Sequence, residues 1–366
     1  MNQRPGIPIA KVAGIPVYLA PSWFVIALLV VVVFAPQVEV SANLLPPQTY
    51  LVAAAYSVIL LVSVLVHEFA HALTARAVGL PVQEIVADLW GGHTAFTEQA
   101  PDPGRGALVA VVGPVSNAVL AALGWLALPA ADGDVVRLLL VAGIYANAFV
   151  AVFNLLPGLP LDGGRLVESA VWGATGKRWA GVLVAGWCGR VVAVLVVVWF
   201  VVRPLVQGGR PTTFGLVWSV MVAVLLWRGA SGAVAAGRVF RAADRLDLGH
   251  YLEPAAALPQ STTAWPSQTG HTVAVDELGH PVGLLRAQDA RQLAAAPQPP
   301  GPNTPLSAVM TVLPSAVVVP ADLDGDGVVQ ALSTQGAHLF IAVDETGRVV
   351  GIADSRQLAQ ALTGRP

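Results

Sequence analysis

Six apolar runs divide the first 228 residues, near 17–36, 50–75, 106–129, 135–156, 183–202 and 213–228. Each approaches the roughly 20 residues that a helix needs to cross a bilayer core. One water-soluble core cannot hide this much apolar chain. Only 11% of residues are charged and 55% are hydrophobic, with a mean hydropathy of +0.67, whereas soluble domains carry roughly 25% charged residues. The expected class is therefore a multi-pass α-helical membrane protein of about six spans, embedded in the lipid bilayer.

Met1 to Ala20 is broken by Pro5, Pro8 and Pro16 and has no basic segment directly before an apolar core with a cleavage site, so the first run reads as a retained anchor. Arg4, Lys11, Arg76, Lys177, Arg178, Arg228, Arg238 and Arg241 fall on one side of an even number of crossings. The positive-inside rule then places both termini in the cytoplasm, with Arg203 and Arg210 opposing it. Arg190, inside the fifth run, is read as a side chain snorkelling to the interface. The net charge of -2 and the scattered cations exclude a nucleic-acid partner, and the single cysteine, Cys188, excludes an internal disulfide. Between the second and third runs, Pro81 to Gly106 is too polar to span. The Ile85–Phe96 part reads as a re-entrant β-hairpin turning at Gly91-Gly92.

Within the second run stands Leu65-Val-His-Glu-Phe-Ala-His-Ala-Leu-Thr-Ala75. Residues at i and i+4 share a helix face, so His67 and His71 can reach one metal, with Glu68 beside them as a base. Each charged group at a bilayer centre costs about 2.5 to 3.5 kcal/mol, so such residues need a partner or a purpose. A second cluster closes the fourth run, Asn154-Leu-Leu-Pro157-Gly-Leu-Pro160-Leu-Asp162-Gly163-Gly164-Arg165. Its prolines must end the helix, and that break can aim Asp162 at a site.

These motifs, together with Gly113-Pro114-Val-Ser-Asn117 in the third run, resemble the site-2 protease family of intramembrane zinc metalloproteases over residues 14–200. The resemblance implies that Asp162 completes the metal site of His67 and His71, with one Zn2+ per chain. Two imidazoles and one carboxylate leave zinc's fourth position open to water, as in catalytic rather than structural sites. Glu68 would activate the water that attacks a peptide carbonyl, and Asn154 is the family's candidate oxyanion donor. Gly91, Gly92 and Asn117 are taken as substrate-binding positions. Asn117, like Asn147, also suits an interhelical link, and His93 stands as an alternative ligand. A helical substrate must be unwound before attack, and the hairpin could hold it extended by strand addition. The same hairpin would also serve as a plug limiting water access. By family analogy the substrates would be membrane-tethered proteins such as anti-sigma factors, or remnants of membrane proteins. A metal transporter would be expected to show inverted repeats, and the membrane segments show none. A catalytically inactive scaffold would be expected to lack one of His67, Glu68, His71 and Asp162, and all four are present.

From His250 the chain becomes richer in Pro, Asp, Gln and Thr, with no run long enough to span. Ala274-Val-Asp-Glu-Leu-Gly-His-Pro-Val-Gly283 repeats as Ala342-Val-Asp-Glu-Thr-Gly-Arg-Val-Val-Gly351, two apolar strands around an Asp-Glu-x-Gly turn. With Val309-Met310-Thr311 before the second copy, this resembles the tandem cystathionine-β-synthase (CBS) domain. The expected organisation is a transmembrane metalloprotease domain at 1–228, a linker helix at 229–249 and a soluble, cytoplasmic α+β tandem CBS-like domain at 250–366, a candidate homodimer interface. Nucleotide binding is disfavoured. The first copy reads Gly283-Leu-Leu-Arg286-Ala-Gln-Asp289 and lacks the usual hydroxyl. The second reads Gly351-Ile-Ala-Asp354-Ser-Arg-Gln357 and lacks the usual aspartate. Asp322-Leu-Asp324-Gly-Asp326-Gly327 starts like a calcium loop, but Ser333 stands where the bidentate glutamate belongs, so it reads as a helix cap.

Overall fold

The computed structural model describes residues 6–42, 44–88, 91–96, 100–263, 270–301, 303–313, 316–335 and 338–364. The chain divides into two compact units, Met1–Gly237 and Arg238–Pro366. Among the described residues six helices are long and apolar enough to cross a bilayer. Their exposed faces carry Leu28, Val32, Leu51, Val62, Leu126 and Val194, side chains that only lipid would cover.

The first unit opens with a hairpin that the sequence reading assigned to irregular chain and membrane span. Strands β1 (Ile7–Val12) and β2 (Ile15–Leu19) pair antiparallel, and α1 (Trp23–Ala42) starts only afterwards. The first span is thereby corrected from 17–36 to 23–42. Residues 15–19 alternate buried and half-buried, a two-residue period that belongs to a strand. Strand β2 adds in parallel to β3 (Val82–Asp88), which pairs antiparallel with β4 (Gly91–Phe96), giving a four-stranded sheet ordered β1-β2-β3-β4. The expected hairpin is thus half of a sheet. Ile15, Val17 and Ile85 from this sheet pack on Ala72 of the long helix α2 (Pro46–Ala77).

Gly91 and Gly92 open β4, opposite Asp88 and Ala87, rather than forming the turn. The connecting positions 89 and 90 lie outside the described residues.

Helices α3 (Pro103–Ala127) and α4 (Asp134–Asn154) pack on each other and on α2. After the loop at 155–161, α5 (Asp162–Thr175) packs on α3 and on α6 (Arg178–Val197). The latter continues through a π-helical turn, Val198–Val202, into the short α7 (Arg203–Val206). Helix α8 (Thr213–Ala243) runs unbroken past position 228, where the sixth apolar run ends, and the division between the two units falls within it.

The second unit builds two related halves. In the first, β5 (Glu253–Pro259) lies parallel to β6 (His271–Val275), which is antiparallel to β7 (Pro281–Leu285), followed by α9 (Ala287–Ala294). After the two-residue β8 (Thr311–Val312), the second half repeats this with β9 (Ala316–Pro320), α10 (Gly325–Gln335), β10 (Leu339–Val343), β11 (Val349–Asp354) and α11 (Ser355–Thr363). Antiparallel pairing of β5 with β11 joins the halves into one seven-stranded sheet. The two Asp-Glu-x-Gly turns are alike. Asp276 Oδ1 accepts from the amides of Leu278 and His280, and Asp344 Oδ1 from those of Thr346 and Arg348. The amide of His280 holds the Asp276 carboxyl below its ordinary range, and the Thr346 hydroxyl does so most for Asp344. Asp324 Oδ1 accepts from the amide of Gly327 at 2.8 Å, so the calcium-like stretch caps α10. The first half joins β5 to β6 through positions 260–270, of which 264–269 lie outside the described residues.

Candidate metal centre

Helix α2 places His67 and His71 one turn apart, with His71 about 9 Å of helix rise before the helix end at Ala77. Both are buried, as is Glu68 between them. Asp162 arrives from the opposite side of the sequence as the first residue of α5. The preceding loop is tied down by Leu159 N donating to Ala185 O (3.1 Å) and Leu161 N to Gly158 O (3.0 Å), with a cis Leu159–Pro160 bond between them. His67 Nε2 lies 3.0 Å from His71 Nε2 and 3.0 Å from Asp162 Oδ2, and His71 Nε2 lies 3.2 Å from the same oxygen. Among the described residues these three are the group whose ligand atoms gather closely enough to hold a metal.

The outer nitrogens decide what the inner ones can do. His71 Nδ1 is 2.7 Å from the carbonyl of Val109, which can only accept, so that nitrogen carries the proton. His67 Nδ1 is 2.7 Å from Asn117 Oδ1. The amide orientation of Asn117 follows from its Nδ2, which donates to the carbonyl and hydroxyl of Ser63 (3.1 and 3.0 Å) and to Asn147 Oδ1 (2.8 Å). His67 Nδ1 is thus also protonated. In the neutral imidazoles both Nε2 atoms then present lone pairs to each other and to a carboxylate oxygen, a mutually repulsive arrangement that a cation resolves. Two ligands at zinc's usual bond lengths in a tetrahedral site stand about 3.3 Å apart, close to the separations seen. The residues present fit a zinc ion.

Packing reserves the space. An added Cβ on Gly113 of α3 would stand 2.7 Å from His67 Nε2 and closer still to His71 Nε2. On the other flank, β4 covers Glu68. Thr94 Oγ1 donates to Glu68 Oε2 at 2.8 Å, and a Cβ on Gly92 would stand 3.0 Å from Glu68 Cγ. Strand β4 ends the sheet order, so its second edge has no strand partner among the described residues.

The sequence reading named Asn117 as a substrate contact and also as an interhelical link, and in the structure it links α3 to Ser63 of α2 and Asn147 of α4. It is fully buried, and its oxygen and amide are engaged by His67, Ser63 and Asn147. Asn154, at the end of α4, donates to Val150 O (3.1 Å) one turn back in its own helix and bonds to none of His67, His71 and Asp162. The backbone of His93 pairs opposite Val86, and its side chain lies outside the described residues. Sequence reasoning missed Thr94, Ser63 and the Val109 carbonyl. The first two are ordinary polar residues without motif context, and a backbone carbonyl leaves no mark in a sequence. Gly113 was visible as part of Gly113-Pro114, though not its reason.

Residues 55–133 and 129–198 match the model of Peptidase family M50. A protein of Synechocystis sp., named "Putative zinc metalloprotease sll0528", is 26% identical over 97% of this chain and 95% of its own length. "Putative zinc metalloprotease Rip3" of Mycobacterium tuberculosis is 34% identical, across 61% of this chain and 56% of its own length. Among solved structures, a site-2 protease from Methanocaldococcus jannaschii aligns with a TM-score of 0.43 and 18% identity, over 62% of this chain and 94% of its own. The CBS domain of a bacterial CNNM/CorC family Mg2+ transporter aligns with a TM-score of 0.24 and 16% identity, over 37% of this chain and 89% of its own. The His67–His71–Asp162 cluster and Glu68 all lie inside the segment 55–198 that matches Peptidase family M50, so the membrane part of this chain is similar to that family where its candidate metal centre stands.

Proposed function

We propose that this chain is a zinc-dependent intramembrane endopeptidase that cleaves transmembrane segments of membrane-tethered proteins. The observation that carries this reading is the convergence of three lone-pair donors, His67 Nε2, His71 Nε2 and Asp162 Oδ2, beside a buried glutamate in an apolar helix bundle. Zinc held there would act as a Lewis acid on water and on the scissile carbonyl. Asn117 and Val109 keep the two imidazoles in the ligating tautomer. Thr94 holds Oε2 of Glu68, leaving Oε1 to take the proton of the attacking water and pass it to the leaving nitrogen. Asn154 would serve as oxyanion donor once its amide turns from Val150.

The free edge of β4 supports a route for substrate. A chain added there would be held extended by main-chain hydrogen bonds, beside the strand that touches Glu68. Gly91 and Gly92 would then act through the backbone. The clustering of Arg76, Lys177, Arg178, Arg228 and Arg238 supports cytoplasmic termini. The organisation read from the sequence, with 229–249 as a linker helix before a tandem CBS-like domain, stays part of this proposal. That domain would act chiefly in dimerisation or partner contact. The substrate class of anti-sigma factors or membrane-protein remnants rests on family analogy.

The decisive experiment is Glu68→Gln in the full chain, with zinc stoichiometry measured beside cleavage of a single-span substrate. Zinc is expected at the wild-type level, and turnover is expected to fall 10² to 10⁴-fold, about the usual contribution of a general acid-base. More than a few per cent of the wild-type rate would remove Glu68 from this role.

A further inference from the structure

Arg190 and Arg203 bound an apolar stretch, 191–202, in the fifth candidate span. Its 12 residues rise about 18 Å, well short of the roughly 30 Å of a hydrocarbon core, so the two guanidinium groups must reach outward to headgroup level. Each stacks on a tryptophan of the same span, Arg203 Cζ at 4.4 Å from the Trp199 ring and Arg190 Cζ at 4.6 Å from the Trp187 ring.

Arg190 is held further by α8. Its Cζ lies 5.2 Å from the Trp227 ring, and its Nη2 donates to Ser231 Oγ at 3.2 Å. Its Nε is enclosed without an acceptor, and no carboxylate pairs with it among the described residues. The side chain is therefore not the freely snorkelling arginine that the sequence suggests. Among the described residues it is a fixed cation with one neutral hydrogen-bond partner and no counter-ion. Trp187 and Trp227 are 52% and 47% exposed, beside the exposed Val184, Val191 and Val194, on a face that lipid would cover. Tryptophans settle at headgroup level, and with Nε enclosed and one Nη2 hydrogen on Ser231 the remaining in-plane N–H groups of Nη1 and Nη2 form a fork suited to two phosphate oxygens.

We propose that Arg190, Trp187, Trp227 and Ser231 form a binding site for the phosphodiester of an anionic phospholipid headgroup, between α6 and α8 on the lipid-facing surface of the membrane unit. Free phosphate offers the same chemistry, but the exposed rings and valines around Arg190 match the glycerol and acyl portions of a lipid. An acidic side chain of a substrate helix is the competing macromolecular ligand.

The test uses the purified full chain in detergent, with phosphatidylglycerol, phosphatidylcholine and inorganic phosphate titrated separately and binding followed by native mass spectrometry. One phosphatidylglycerol should be retained in preference to phosphatidylcholine, and millimolar phosphate should not displace it. Arg190→Gln should weaken retention about tenfold or more, the loss expected for a charge-assisted pair. Arg190→Lys, which keeps the charge without the fork, should fall between. Zinc content reports on folding of each variant. Should Arg190→Gln fail to fold, the Trp187→Leu, Trp227→Leu double variant asks the same question and should also lose retention. Wild-type retention in the folded variants would overturn the proposal, as would displacement by inorganic phosphate. So would slower cleavage by Arg190→Gln, in phosphatidylcholine vesicles, of a substrate with a juxtamembrane acid but not of its neutral counterpart.

Discussion

His67 and His71 are poised as ligands by acceptors on another helix. Asn117 and the Val109 carbonyl, both on α3, fix which nitrogen of each ring carries the proton, and Ser63 with Asn147 fixes which way Asn117 faces. Asn117→Leu fills the same volume but takes away the acceptor. It should lower zinc affinity about 10- to 100-fold, the usual loss for a partner behind a ligating histidine, and chelator competition on the purified variant measures this. It leaves Ser63 and Asn147 able to pair with each other at 2.9 Å, so the helices keep a link. Asp162→Ala removes a ligand outright and should empty the site under conditions in which Asn117→Leu retains part of its zinc. Equal zinc content in wild type and Asn117→Leu would show that the tautomer is held by something else.

At the scale of elements, the closeness of α3 to α2 makes the metal site, and that closeness rests on Gly113. An alanine there should improve helix formation by roughly 1 kcal/mol, since glycine is the poorer helix former. Its methyl would occupy the space between the imidazoles. Gly113→Ala is thus expected to abolish zinc binding while costing the zinc-free protein about 1 to 2 kcal/mol, the overpacking against the two rings being partly offset by the helix gain, read from melting with and without zinc. A large loss of stability without metal would mean that α3 cannot absorb the methyl at all. The sheet shows a comparable economy. Four strands with sequence between them as long as α1 and α2 come together so that β4 lies against Glu68 through Gly92 and Thr94. The hairpin at 82–96 could be read from its alternation and glycines, but β1 and β2 could not, because Pro8 and Pro16 obscure a pattern that only pairing to β3 makes stable.

For the molecule as a whole, the second unit carries a repeat whose two copies differ at matching positions, Arg286 in the first against Asp354 in the second and Asp289 against Gln357. Asp354 Oδ1 accepts from the amide of Arg356 at 2.8 Å and caps α11, leaving a carboxylate where a nucleotide's phosphate would need a hydroxyl. The full chain is therefore expected to show no micromolar binding of ATP or AMP by calorimetry. Micromolar binding lost in Asp289→Ala would make this unit a nucleotide sensor instead. By itself the sequence determined the membrane class, the pairing of His67 and His71 on one helix face with Glu68 beside them, and the two-copy plan of the second unit, while Asp162 entered through a family resemblance. Apolar run length, i,i+4 spacing and repetition are local properties of a chain, and each speaks for one element at a time. Only the tertiary structure decided that Asn117 bonds to His67, Ser63 and Asn147, that Gly113 keeps the space between the imidazoles open, that Thr94 bonds to Glu68 and that Arg190 lies against two rings. Each of these depends on which groups from distant segments meet within about 3 to 5 Å. Spacing along a chain cannot encode that, because it is settled by how buried polar groups on separate helices find partners when the bundle closes.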